Sequence, residues 1–229
     1  KSRLDKNNVM LVYCWITTEV GVSRTVVQRE TKDFIRKICQ ENNIEFVDFS
    51  ELIAQYTPTE VTHMPVDGHF NEKGAEIITE KLKEIIDTHT NHRSNLSFQA
   101  AERPSLFGEL DPSEDLVIDG GKNLPYRLIT NNSGMRMSRA VRFNNTGQRV
   151  LLMGDSGFYF PFIDNDETAT ALLQAQYPDK EIMNVANYAY TITDYLTQYQ
   201  ERAQYLEPDL ILLQASGDDL PDLFFTHQQ

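Results

Sequence analysis

Short, largely apolar runs alternate along the chain with segments in which apolar residues recur every three or four positions. The runs occupy residues 9–16, 44–49, 150–153, 181–185 and 209–215. Continuous apolar runs of this length are typical of strands that are buried on both faces. The helical spacing occurs in residues 25–41, 71–87, 167–176 and 193–206. This alternation predicts an α/β fold, a three-layer sandwich with a five-stranded parallel sheet between helices.

Residues 88–148 interrupt this alternation. Residues 88–105 are polar and lack periodicity, and the following part is rich in turn signals such as Gly120-Gly121 and Asn131-Asn132-Ser133-Gly134. We expect a linker and an irregular stretch with one or two short strands. The whole chain, residues 1–229, is then a single domain in which residues 1–87 and 149–229 each supply part of the sheet.

Composition narrows the classes of partner. The formal charge is −13, from 21 basic and 34 acidic side chains. This acidic balance argues against nucleic acid or an anionic membrane, because phosphate binding needs clustered lysine and arginine. No apolar run approaches the roughly 18 to 20 residues of a membrane-spanning helix. The five histidines and two cysteines are scattered, so the sequence predicts no metal site.

The strand at residues 150–153 ends in Gly154-Asp155-Ser156-Gly157. A serine hydroxyl becomes a nucleophile only beside a base that a third group orients. A backbone N–H at the start of a helix can also stabilise an oxyanion. The same four residues are equally typical of a turn that caps a helix, so the motif alone leaves both interpretations open.

A candidate base lies far away in sequence, at Asp67-Gly68-His69. The carboxylate of Asp67 is close enough in sequence to hold the imidazole of His69, although a lone loop histidine is a simpler interpretation. The carboxyl ends of parallel strands share one edge of a sheet. The loops after residues 153, 185 and 215 are therefore expected to meet there.

Together these motifs resemble the SGNH/GDSL hydrolase superfamily of esterases and acyltransferases, whose fold is flavodoxin-like. Three further blocks are similar to segments of that family. They are RLITNNSGMR (residues 127–136), NVANYAYT (184–191) and LLQASGDDL (212–220).

The resemblance implies a role for each of these residues. Ser156 would be the nucleophile, His69 the general base and Asp67 the residue that orients the base. The backbone N–H groups of Ser156 and Ala189 would form the oxyanion hole. Asp218 stands where the family has an asparagine, and Asp219 would be the structural acid of that block. This chemistry needs neither a metal ion nor an organic cofactor.

Three features depart from the common family pattern. The order is rotated, because Asp67 and His69 precede Ser156; read from about residue 102 to 229 and then from 1 to 87, the chain becomes an ordinary member. This predicts a circular permutation, and certain SGNH-like polysaccharide O-acetyltransferases also place Asp-x-His before the serine. The spacing is Asp-x-His instead of Asp-x-x-His. Finally, an ionised Asp218 accepts hydrogen bonds where a donor is expected.

Aromatic residues are the remaining candidates for substrate contacts. Tyr188 and Tyr190 lie in the loop after the strand at 181–185, and Trp15 ends the strand at 9–16, so all three are expected to flank a substrate. The run FYFPF at residues 158–162 is either an acyl-chain pocket or part of the core.

The leading functional prediction is hydrolysis of a small acyl ester, an acetyl ester on a carbohydrate, through an acyl-enzyme on Ser156. Two alternatives are a carbohydrate O-acyltransferase with the same triad and an SGNH-like binding domain with weak or no activity. A nucleotide-binding flavodoxin-like domain is disfavoured because the chain lacks a glycine-rich phosphate loop.

Overall fold

The computed structural model describes residues 2–16, 26–144 and 146–215. Its strands are β1 (Met10–Trp15), β2 (Glu45–Asp48), β3 (Asp115–Ile118), β4 (Tyr126–Ile129), β5 (Arg149–Met153), β6 (Glu181–Asn184) and β7 (Leu210–Ala215). Its α-helices are α1 (Ser2–Lys6), α2 (Val26–Glu41), α3 (Ser50–Ile53), α4 (Pro58–Val61), α5 (Glu72–Thr88), α6 (Ser156–Tyr159), α7 (Ala169–Gln176) and α8 (Ile192–Glu201). The five strands predicted from the apolar runs are all present.

Those five strands form one parallel sheet in the order β2-β1-β7-β5-β6. Numbered from the strand that leads to Ser156, this is the order 2-1-3-4-5 of flavodoxin-like folds. The predicted fold class is therefore confirmed. The rotated strand numbering also agrees with the permutation expected from the motif order.

Alternate residues of the central strands face opposite helix layers. Val150 and Leu152 of β5 join the core cluster that also contains Ile78 and Leu82 of α5. Their neighbour Leu151 joins the cluster beneath α8. All five side chains are fully buried. Because every second residue points to one face of a strand, both faces of the sheet must be covered, which explains the continuous apolar runs.

The irregular stretch after α5 is packed against the sheet along much of its length. It first crosses the amino ends of the central strands, where Arg93 Nη1 lies 3.0 Å from Asp209 Oδ2 and Arg103 Nη2 lies 2.8 Å from Glu207 Oε1. Phe107 then packs into the core beneath α8. The stretch next forms the antiparallel hairpin β3–β4. It thus runs from one end of the sheet to the other.

No helix within the described ranges is both long and apolar enough to span a membrane. Cys14 and Cys39 are both buried and free.

Candidate active site

The turn that presents Ser156 is also a helix cap. Asp155 is the N-cap of α6, and its side chain accepts a hydrogen bond of 2.8 Å from the Gly157 N–H. Ser156 is the first residue of α6 and is partly exposed. The two interpretations of this motif are therefore compatible, because capping the short helix is what fixes the serine at the carboxyl end of β5.

Gln214 of β7 lies directly beneath this turn. Its side chain is fully buried, and its Oε1 accepts the Asp155 N–H at 3.0 Å. A Cβ at Gly154 would lie 2.6 Å from that Oε1, and a Cβ at Gly157 would lie 2.7 Å from the Gln214 Cδ. Both glycines are needed because the amide fills the space that a side chain would take. The sequence analysis did not identify Gln214 as part of the site. A polar residue inside a buried strand could have indicated it, because buried polar side chains usually have a specific partner.

Asp67 and His69 contact each other in the loop that precedes α5. Asp67 Oδ1 lies 2.5 Å from His69 Nδ1 and accepts the His69 backbone N–H at 2.8 Å. Asp67 is 7% exposed. A carboxylate on Nδ1 fixes the ring and leaves Nε2 as the nitrogen that can exchange a proton with another group.

The loop that carries this pair is clamped at its base. Thr62 and Phe70 form an antiparallel bridge, and the His63 N–H donates to the His69 carbonyl at 3.0 Å. Asn71 caps α5 by accepting the Gly74 N–H at 3.0 Å, and its amide donates to the Thr62 carbonyl at 3.0 Å. The loop is thus held at both ends by backbone contacts.

Lys122, in the connection between β3 and β4, binds the other oxygen of Asp67 through its Nζ. Burial opposes ionisation of Asp67, but the hydrogen bonds from Lys122 and from the His69 N–H and ring outweigh it and lower the pKa of Asp67 to about 2. Asp67 is therefore a carboxylate at neutral pH. No sequence motif pointed to Lys122, because it lies in the stretch without periodicity.

Aromatic contacts link His69 to the loops after β5 and β6. Its ring centroid is 5.6 Å from that of Phe162 and 5.7 Å from that of Tyr188. The Tyr188 ring lies 6.5 Å from that of Tyr159, in the helix that begins at Ser156. His69 and Ser156 thus share one edge of the sheet. Within the described residues, no hydrogen bond joins the His69 ring to the Ser156 hydroxyl.

The two backbone groups expected in the oxyanion hole have no acceptor among the described residues. These are the N–H groups of Ser156 and Ala189. The Asn187 N–H donates to the Gly154 carbonyl at 3.2 Å, which holds the two loops side by side. Ala189 has φ +61°, in the left-handed region that glycine adopts most readily. Asp218 and Asp219 lie outside the described residues.

The candidate substrate residues differ in their exposure. Tyr188 is 53% exposed beside His69, whereas Tyr190 is half-buried and its ring packs 6.4 Å from that of Tyr195. Trp15 is 3% exposed and packs with Ile35 of α2. The expectation that Trp15 flanks a substrate is therefore wrong, because its ring is enclosed between the sheet and a helix.

The aromatic run after Ser156 belongs mainly to the core. Phe158 and Phe160 are buried, whereas Phe162 is partly exposed and reaches His69. The buried guanidinium of Arg136 holds this loop by donating to the carbonyls of Phe160 and Ile163, each at 2.6 Å. The block RLITNNSGMR thus contributes an arginine that shapes the loop beside the site.

Within the described residues, no group of three or more histidine, cysteine, aspartate or glutamate side chains is arranged to hold a metal ion.

The strand order and the helices on both faces of the sheet define a three-layer α/β protein with a flavodoxin-like fold. Among solved structures, the chain is similar to the O-acetyltransferase domain of Pseudomonas putida AlgJ, with a TM-score of 0.57 and 15% sequence identity. The match covers 95% of this chain and 78% of that chain. At this identity the likeness shows a shared fold. No protein-family model and no curated protein sequence match the chain.

Proposed function

We propose that the protein is a serine ester hydrolase of SGNH type that removes a small acyl group, acetyl above all, from a carbohydrate ester. The observation that carries the proposal is the Asp67–His69 pair, joined at 2.5 Å, at the same edge of the sheet as Ser156. The carboxyl ends of parallel strands are where such folds bind ligands.

In the proposed reaction, His69 Nε2 removes the Ser156 hydroxyl proton while Oγ attacks the ester carbonyl carbon. Asp67 stabilises the imidazolium that forms. The N–H groups of Ser156 and Ala189 donate to the oxyanion. Collapse of the tetrahedral intermediate transfers the proton from His69 to the leaving sugar alkoxide and forms the acyl-enzyme. Water, deprotonated by His69, then releases the carboxylic acid and regenerates Ser156.

Two features support a small acyl group on a carbohydrate. Phe158, Tyr159 and Phe160, which follow Ser156, are buried in the core, so these three rings line no open channel for an acyl chain. The exposed Tyr188 ring offers an amphipathic face on which a sugar ring can stack. The name of the structurally similar domain, an O-acetyltransferase, agrees with acetyl chemistry.

A carbohydrate O-acyltransferase is the second candidate, and the O-acetyltransferase neighbour favours it. The same acyl-enzyme would then pass its acyl group to a sugar hydroxyl. A third candidate is a binding domain with weak or no activity. Asp218 favours it, since loss of one oxyanion donor lowers the rate about 100- to 1,000-fold.

Labelling with a fluorophosphonate probe tests the proposal. We expect the probe to modify Ser156, and both labelling and hydrolysis of p-nitrophenyl acetate to disappear in Ser156→Ala. Ser138→Ala, which removes another exposed hydroxyl, serves as the control and is expected to label fully. Labelling that persists in Ser156→Ala would contradict the assignment of the nucleophile. A folded wild-type protein that takes no label would favour the binding domain.

The acceptor that takes the acyl group from Ser156 distinguishes a hydrolase from a transferase. After reaction with p-nitrophenyl acetate, mass spectrometry should detect Ser156 with one added acetyl group. A hydrolase releases acetate at the same rate with and without an added oligosaccharide. Acetylated oligosaccharide as the main product would identify the transferase.

A further inference from the structure

The contact between Lys122 and Asp67 joins two parts of the chain that are 55 residues apart. Asp67 uses its two oxygens for two different partners: Oδ1 binds His69, and Oδ2 binds the Lys122 ammonium group. Asp67 is 5% exposed as a side chain, whereas Lys122 is 49% exposed. The ammonium group therefore covers the outer side of a buried carboxylate.

An ordered turn delivers this lysine. The Gly121 N–H donates to Asp119 Oδ1 at 3.1 Å, and Gly121 adopts φ +69°, which glycine tolerates. A Cβ at Gly120 would lie 2.5 Å from Phe162 Cε1, so the turn is seated on that ring. The Lys122 Nζ lies 5.9 Å from the centroid of the same ring. Phe162 therefore contacts both the turn and His69.

Lys122 contacts Asp67 directly and carries the opposite charge. Besides Asp67 and Lys122, the titratable groups near the pair in the described residues are His63 on the same loop, Glu72 in the first turn of α5, and Tyr188. Because the ammonium group binds Oδ2, it favours the orientation of the carboxylate in which Oδ1 faces His69 Nδ1. Lys122 is therefore placed to fix the orientation of Asp67.

We propose that Lys122 is a positioning residue of the site, which holds the Asp67 carboxylate in the orientation that binds His69 Nδ1. The inference rests on the proposed function, because an oriented base is useful only beside a nucleophile. Lys122 acts through Asp67 and touches no reacting atom. Because its side chain is 49% exposed, we expect loss of this contact to lower the rate only about 2- to 5-fold.

Variants of Lys122 test the inference. Lys122→Met keeps the apolar stem and removes the charge, Lys122→Arg keeps the charge, and Lys81→Met removes an exposed lysine that pairs with Glu84 on α5. For each, proton NMR follows the His69 Nδ1–H resonance without substrate, and kcat and KM for p-nitrophenyl acetate are measured at neutral pH.

In Lys122→Met, the downfield Nδ1–H resonance of His69 should weaken or move upfield, because the carboxylate is no longer held against the ring. The value of kcat should fall about 2- to 5-fold, whereas KM should stay the same. Lys122→Arg and Lys81→Met should behave like the wild type in both measurements. An unchanged resonance in a folded Lys122→Met protein overturns the inference, as does an equal loss of kcat in Lys81→Met.

The two readouts distinguish this inference from the proposed function. The Nδ1–H resonance needs no turnover, so it reports on Lys122 even if the protein hydrolyses no ester. Absence of both labelling and hydrolysis would count against the esterase, whereas an unchanged His69 resonance in Lys122→Met with normal labelling would count against Lys122 alone.

Discussion

The two halves of the candidate site are held in different ways. The half that carries His69 depends on charge, since a buried carboxylate binds an imidazole on one side and a half-exposed ammonium group on the other. The half that carries Ser156 depends on shape, since two glycines leave room for the buried amide of Gln214. We therefore expect pH to alter the first half, whereas small changes of volume should alter the second.

The reason for this difference lies in where each half sits in the fold. Ser156 follows β5, an interior strand of the sheet in which every residue is buried. Asp67 and His69 lie in a loop that is held by backbone contacts at its base and by the hydrogen bonds of the Val66 and Asp67 N–H groups to the His63 carbonyl. Lys122 comes from a hairpin connection on the surface.

Asp67→Asn is expected to give the largest effect and to test the half that depends on charge. The amide keeps the shape, but it can present its NH₂ group to Nδ1 and so favour the wrong tautomer of His69. We expect kcat for p-nitrophenyl acetate to fall by about 10³- to 10⁴-fold, as for the corresponding change in a serine protease triad. Asp166→Asn, at an exposed aspartate, is the control. A loss smaller than about tenfold would exclude Asp67 from the triad.

Gly157→Ala tests the half that depends on shape. The three atoms nearest to the new Cβ would all belong to the Gln214 side chain, at 2.7 to 3.0 Å. We expect a decrease of about 1–3 kcal/mol in the free energy of unfolding, measured with urea, and slower labelling of Ser156. In a Gln214→Ala background the same substitution should cost much less, because the clash is gone. Additive effects in this double-mutant cycle would show that Gln214 does not fill that space.

The smallest expected effect is the dependence of stability on acid pH, which tests the ionisation of Asp67. Its pKa in the folded protein, about 2, is below the ordinary value of 3.8, so ionisation favours folding. The contribution, on the order of 2 kcal/mol, is fully present above about pH 4 and is lost as the pH falls toward 2. Urea unfolding of the wild type should therefore depend more steeply on pH in this range than that of Asp67→Asn. Parallel curves would argue against the lowered pKa.

The sequence predicted the parts of the molecule that repeat a pattern. Buried strands such as residues 150–153 were predictable from their continuous apolar residues. The contact between Asp67 and His69 was expected from their proximity in sequence. Lys122 escaped because its partner is distant in sequence and its surroundings have no periodicity. Gln214 escaped because a single polar residue does not change the apolar character of a strand. Trp15 was misjudged because position at a strand end does not determine whether a side chain is exposed.

The position of β7 has a consequence for how the chain folds during synthesis. Among the described strands it is the last in sequence, yet it lies between the pair β1–β2 and the pair β5–β6. During synthesis the chain leaves the ribosome from its amino end. The pair β1–β2 and the pair β5–β6 therefore cannot form one sheet until β7 has emerged and paired with both β1 and β5. The base and the nucleophile come from opposite sides of that gap. A nascent chain therefore stays without an assembled site until residues 210–215 insert, and that insertion completes the sheet.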